Sequence, residues 1–217
     1  RGIDLNSELD EYLKPSELPN AEDHFSELGK ATQRIIQACV RKELIAICGD
    51  YDADGITSTI LLVELLSKLG GKVKAYIPSR QEEGYGLNLN MIKEINNQKI
   101  KLIITVDNGI SAFDAIKKSR DLGIDLIITD HHKITKSSLD IFSLIHPEIT
   151  PNNSPYKYLA GVGIAYLLAK NICNKLNYDI SNTTANVLFC IGTVADMAPL
   201  IGANRKFLKE LLPEINK

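Results

Sequence analysis

Short apolar runs alternate with longer stretches of helical periodicity, and that alternation predicts the architecture. Glu43–Ile47 is short, apolar and branched, as expected of a buried strand. Lys72–Pro78, Leu102–Val106, Asp125–Thr129 and Ile141–Ile145 read the same way, the first of these ending at a proline. Between them, Ile56–Leu66, Leu89–Asn97 and Ala112–Leu122 carry helical spacing. Strands alternating with helices predict an α/β fold: a parallel sheet of about five strands flanked by helices. Apolar positions from Phe25 to Val40 predict a helix within a mostly helical lead-in over residues 1–43. Tyr158–Leu176, Thr183–Val194 and Asn204–Leu212 predict a helical C-terminal segment. Residues 44–217 are therefore expected to form the core. The chain starts without Met and ends without a capping element, so an excised core truncated before further domains is expected.

Composition narrows the classes. Apolar content of 44% is enough to fill a core, and no apolar run approaches membrane-spanning length. The N-terminus lacks the apolar stretch of a signal peptide. The four cysteines are scattered with no C-x-x-C spacing, which fits buried free thiols and a cytoplasmic location. A net charge of −2 argues against a nucleic-acid partner. Two divalent ions would add +4 and bring the total to about +2.

The chemistry lies where the apolar runs stop. The first strand leads into Cys48-Gly49-Asp50-Tyr51-Asp52-Ala53-Asp54-Gly55. If the backbone there stays extended, alternate aspartates share one face and repel unless a cation holds them. Val106 is followed by Asp107-Asn108-Gly109, and Thr129 by Asp130-His131-His132. Parallel strands present their carboxyl ends on one edge, so these groups are expected to converge. A single aspartate at a strand end is ordinarily a cap or a turn residue. Carboxylates and imidazoles converging in one crevice instead suit Mn²⁺, Mg²⁺ or Zn²⁺. Two such ions are the usual apparatus for hydrolysing phosphate esters. His146 ends the last strand and is read as structural.

In order, Asp-Tyr-Asp-Ala-Asp-Gly, Val-Asp-Asn-Gly-Ile-Ser, Asp-His-His and Gly-Thr-Val-Ala-Asp-Met-Ala-Pro-Leu resemble the four motifs of the DHH phosphoesterase superfamily. Tyr76–Arg80, Glu83–Leu87, Leu159–Gly163 and Asn204-Arg205 point to its RecJ branch of single-strand-specific exonucleases. The resemblance implies metal ligation by Asp52, Asp54, His131 and Asp196 around a bridging Asp107, with two Mn²⁺ or Mg²⁺ ions. It leaves Asp50 either a ligand or a close neighbour of one. It makes Asp107, His131 and His132 the catalytic set, with His132 on phosphate. Asp196 enters only through the resemblance; by its own context it is a helix-terminal aspartate before Pro199. Arg80 has a guanidinium suited to bidentate phosphate contact. Thr57 and Ser58, at a helix start, either donate to a phosphate or cap the helix.

The activity implied is 5′-to-3′ removal of nucleotides from single-stranded DNA in repair and recombination. Single-strand-binding protein and a helicase are the implied partners, with no membrane. Activity on long strands is expected to be weak without further domains. The alternatives are a DHH phosphodiesterase for short oligonucleotides or cyclic dinucleotides, and a non-catalytic DHH scaffold.

Overall fold

The computed structural model describes residues 9–79, 86–136 and 138–214. Five parallel strands form one sheet: β1 (Leu44–Cys48), β2 (Lys72–Tyr76), β3 (Leu102–Val106), β4 (Asp125–Thr129) and β5 (Ser143–Ile145). Their spatial order is β2-β1-β3-β4-β5. The helices are α1 (Leu9–Leu13), α2 (Leu28–Val40), α3 (Ala53–Lys68), α4 (Leu89–Asn97), α5 (Phe113–Asp121), α6 (Gly161–Leu176), α7 (Ala185–Ala195) and α8 (Gly202–Leu211).

The period-2 alternation of the strands sorts their side chains into two cores. Ile45 and Ile47 of β1, with Ile104 of β3, pack under α2, α3, α6 and α7. Ala46 and Cys48, with Ile103, pack against α4 and α5 on the opposite face. Central strands buried on both faces need continuous apolar sequence, and β3 is buried at every position. The edge strand β2 carries Lys72 and Lys74, which blunt its open side. The lead-in packs into the same core through Phe25, Leu28 and Ile35. All four cysteines are buried and free.

Strand β1 has β2 on one side and β3 on the other, and helices α3 and α4 lie on opposite faces. The chain therefore reverses its direction of winding between β1 and β3. In open parallel sheets, ligands bind beyond the carboxyl ends of the strands at such a reversal. Asp50 follows β1 and Asp107 follows β3, so the fold delivers both acids to that point.

Three local details differ from the expected pattern. Helix α3 starts at Ala53, earlier than Ile56, because Asp52 caps it: its Oδ1 accepts the Gly55 N–H at 2.9 Å. The acidic loop is therefore not extended throughout, and its acids do not share a face by strand alternation. Gly55 permits the turn, since a Cβ there would lie 2.7 Å from the Asp50 main chain. Strand β5 is shorter than Ile141–Ile145, starting at Ser143.

Candidate metal centre

Asp50, Asp52, Asp54, Asp107, His131, His132 and Asp196 come together at the carboxyl edge of the sheet. Their donor atoms form three overlapping groups: Asp50 with Asp52 and Asp107; Asp54 with His131 and Asp196; and Asp107 with His131 and His132. Within each group the atoms lie inside 4.8 Å of one another. The break from strand-like turn to helix divides the acidic loop between two of these groups. Asp50 and Asp52 face one side of Asp107, while Asp54 joins His131 and Asp196.

Each side chain is positioned by a different element. Asp107 continues the ladder, its N–H donating to Thr129 O at 3.0 Å, but its φ is +60°. This left-handed conformation is uncommon outside glycine, and aspartate and asparagine are enriched in it. His131 Nε2 lies 3.0 Å from Asp107 Oδ1 and 3.7 Å from Asp54 Oδ2. Asp54 sits in the first turn of α3 and reaches across to the start of α6. There its two oxygens accept the N–H groups of Gly161 (2.6 Å) and Val162 (2.7 Å). Free amides at a helix N-terminus stabilise a carboxylate in this way. Asp196 ends α7 as its C-cap and is half-buried.

Electrostatics record the crowding. Burial, then the charge of Asp107, pushes Asp54 up to about 8. Burial, then Asp52, pushes Asp107 up to about 8 as well. Burial raises Asp50 and Asp196 too. Asp50 Oδ1 is buried without a hydrogen-bond partner among the described residues. Clustered acids held against their own repulsion, with a buried carboxylate oxygen still lacking a donor, are a set that divalent cations would satisfy. Oxygen donors joined by one or two imidazoles suit Mn²⁺ or Mg²⁺.

Asp130 plays a different part. Its carboxylate accepts Ile110 N–H (2.9 Å), His131 N–H (2.7 Å), His132 N–H (3.0 Å) and the His132 ring at Nδ1 (2.8 Å). Burial alone would raise it, but these donors outweigh burial and hold it below the ordinary carboxylate value. Asp130 in turn raises His132 to about 9, chiefly through the ring hydrogen bond. His132 thus carries positive charge near neutral pH while remaining 46% exposed at the crevice.

Behind it, His146 is fully buried. Its Nδ1 accepts the Glu148 N–H at 3.1 Å, so Nε2 carries the proton and donates to His132 O at 2.7 Å. Burial lowers its pKa, which fits a neutral structural residue.

Thr57 and Ser58, expected to meet a phosphate or cap the helix, have main-chain partners within α3. Thr57 donates to Ala53 O (2.7 Å), and Ser58, fully buried, donates to Asp54 O (2.7 Å). A hydroxyl has one proton to give, and both are given to main-chain carbonyls within α3. Arg80, with Glu83–Tyr85 of the neighbouring stretch, lies outside the described residues.

The sequence reading missed Asn108. Its Nδ2 donates to Cys48 O (2.9 Å) and Val106 O (2.8 Å), and its Oδ1 accepts Leu87 N–H (3.0 Å). One buried amide therefore ties the ends of β1 and β3 to the chain leading into α4. Its place directly after Asp107 was the available signal.

Comparison with known proteins finds relatives in both sequence and fold. The chain is 43% identical over 176 residues to the single-stranded-DNA-specific exonuclease RecJ of Bacillus subtilis (strain 168), covering 81% of this chain and 22% of that protein. It is 35% identical over 216 residues to RecJ of Escherichia coli (strain K12), covering 94% and 37%. The chain thus spans well under half the length of these relatives. Its fold matches a crystal structure of exonuclease RecJ bound to manganese with a TM-score of 0.79 and 34% identity, covering 87% of this chain and 48% of the other. RecJ from Thermus thermophilus in complex with Mn²⁺ gives 0.77 at 32% identity, covering 94% and 29%. Residues 44–193, the greater part of the sequence and all of the strand-end acids and imidazoles named above, though not Asp196 at the end of α7, match the family described as DHH family, N-terminal domain. The chain belongs to the DHH family.

Proposed function

We propose that this chain hydrolyses phosphodiester bonds of single-stranded DNA, releasing mononucleotides from the 5′ end, with two Mn²⁺ or Mg²⁺ ions. The supporting observation is the pair of donor groups flanking Asp107, Asp50 with Asp52 on one side and Asp54 with His131 and Asp196 on the other. Similarity to single-stranded-DNA-specific exonucleases supports the substrate. The 5′ polarity belongs to the same reading. We read residues 44–217 as the catalytic core and residues 1–43 as a lead-in to it. A cytoplasmic setting, repair and recombination as context, and single-strand-binding protein and a helicase as partners go with this reading.

Divalent ions, when bound, supply an acidified water and positive charge against the phosphoryl oxygens. The chain does the rest. Asp107, raised by burial and by Asp52, gives up its proton as cations are taken up. The Gly161 and Val162 amides fix Asp54 in one orientation. His132, held charged by Asp130, offers positive charge to the phosphoryl group as negative charge grows there.

The test is incubation with end-labelled single-stranded and duplex DNA in Mn²⁺, Mg²⁺ or EDTA. Mononucleotide release from the 5′ end of single strands, abolished by EDTA and by Asp107→Ala, is expected. Hydrolysis unaffected by Asp107→Ala, or absent in both metals, would overturn the reading.

A further inference from the structure

Beside the metal centre, on the α4/α5 face, lies a groove of about 420 Å³ at the carboxyl edge of the sheet. One wall is the start of α4, tied to Asn108 through Leu87. The other is the loop that leaves Asp107 and enters α5 at Phe113. Phe113 is 38% exposed, in a position that the core does not need. The ammonium of Lys136 lies 5.2 Å from its ring centroid. Lys136 belongs to the loop that continues from His132 through the exposed Lys133, and exposed Lys117 is one helical turn beyond Phe113. Asp114 is the opposing charge in the groove wall. On a chain of net charge −2, an exposed aromatic with one lysine over its ring and another one helical turn away is a local departure.

We propose that this groove carries the single strand adjoining the cleavage site: a nucleobase stacks on Phe113, and Lys136 and Lys133 take flanking phosphates. The inference rests on the single-stranded-DNA reading above. Aromatic faces accept any base, and lysines track the backbone without reading sequence, so the subsite is sequence-tolerant. Lys136 is exposed, so its ammonium can leave the ring for a phosphate as the base arrives. The loop that carries Asp107 leads into the groove wall at Ser111.

The chain has no tryptophan, so Phe113→Trp introduces a single selective reporter at an exposed position. A phosphorothioate oligothymidylate that resists hydrolysis is titrated in Mn²⁺, with anisotropy of a dye on the strand recorded alongside indole fluorescence. Binding with strong quenching by the oligothymidylate, and little by an abasic strand, is expected. Phe113→Ala should weaken binding about tenfold. Binding without quenching overturns the groove and leaves the proposed activity standing. Hydrolysis of a thymidine dinucleotide by the unsubstituted protein, with no strand binding, does the same. Failure of both binding and dinucleotide hydrolysis overturns the groove together with the activity.

Discussion

Gly161 presses against Asp107: a Cβ on the glycine would lie 2.5 Å from the aspartate's own Cβ and 2.8 Å from its Oδ1. The start of α6 approaches so closely because its amides must reach Asp54. Gly161→Ala forces these two apart. The expected outcome is loss of Mn²⁺ affinity of about 10- to 100-fold, read by calorimetric titration, together with a lower melting temperature. Wild-type affinity in that variant would show that the helix start does not position the acids.

The raised acids set a pH dependence for the metal-free protein. A buried carboxyl raised in the folded state keeps its proton where the unfolded chain has lost it. Stability therefore falls as pH rises from the ordinary carboxylate value through about 8, where Asp54 and Asp107 ionise. Cations reverse the trend, since they favour the ionised forms. Melting temperatures in EDTA should fall from about pH 5 to about pH 8, and the increment from Mn²⁺ should grow over the same range.

Asp107→Asn separates stability from metal binding. Asparagine tolerates the +60° φ and removes a buried carboxyl that folding forces to keep its proton. Relief of about 1–2 kcal/mol corresponds to a rise of roughly 2–8 °C in melting temperature without metal. Metal binding should be lost. A fall in metal-free stability would contradict the repulsion described for this crevice.

Asp130 is expected to act through His132. Its carboxylate keeps the imidazole charged to about pH 9. In Asp130→Asn the ring should lose its proton as pH rises through its ordinary value. The deficit in activity should then be about 20-fold larger at pH 8 than at pH 6, from the fraction of imidazolium alone. A deficit equal at both pH values would mean that Asp130 only shapes the loop.

The sheet and most of the crevice were legible in the sequence for a plain physical reason. Buried parallel strands need unbroken apolar runs, so Asp107 and Asp130 stand out where β3 and β4 stop. What could not be read was longer in range. Asp196 looks like any acid at a helix end, because its approach to His131 depends on the packing of α7 on α3. The amides that hold Asp54 come from a helix more than a hundred residues later. Thr57 and Ser58 looked ready for a ligand, yet a helix that starts at Ala53 spends both hydroxyls internally. The acidic loop was expected to collect its acids on one face of an extended segment. The cap at Asp52 instead divides them between two of the donor groups.

The most direct measurement is anomalous scattering from crystals soaked in manganese. Two peaks are expected, one among Asp50, Asp52 and Asp107 and one among Asp54, His131 and Asp196, with Asp107 touching both. A single peak, or peaks that persist in Asp107→Ala, would contradict a two-ion centre built around that residue.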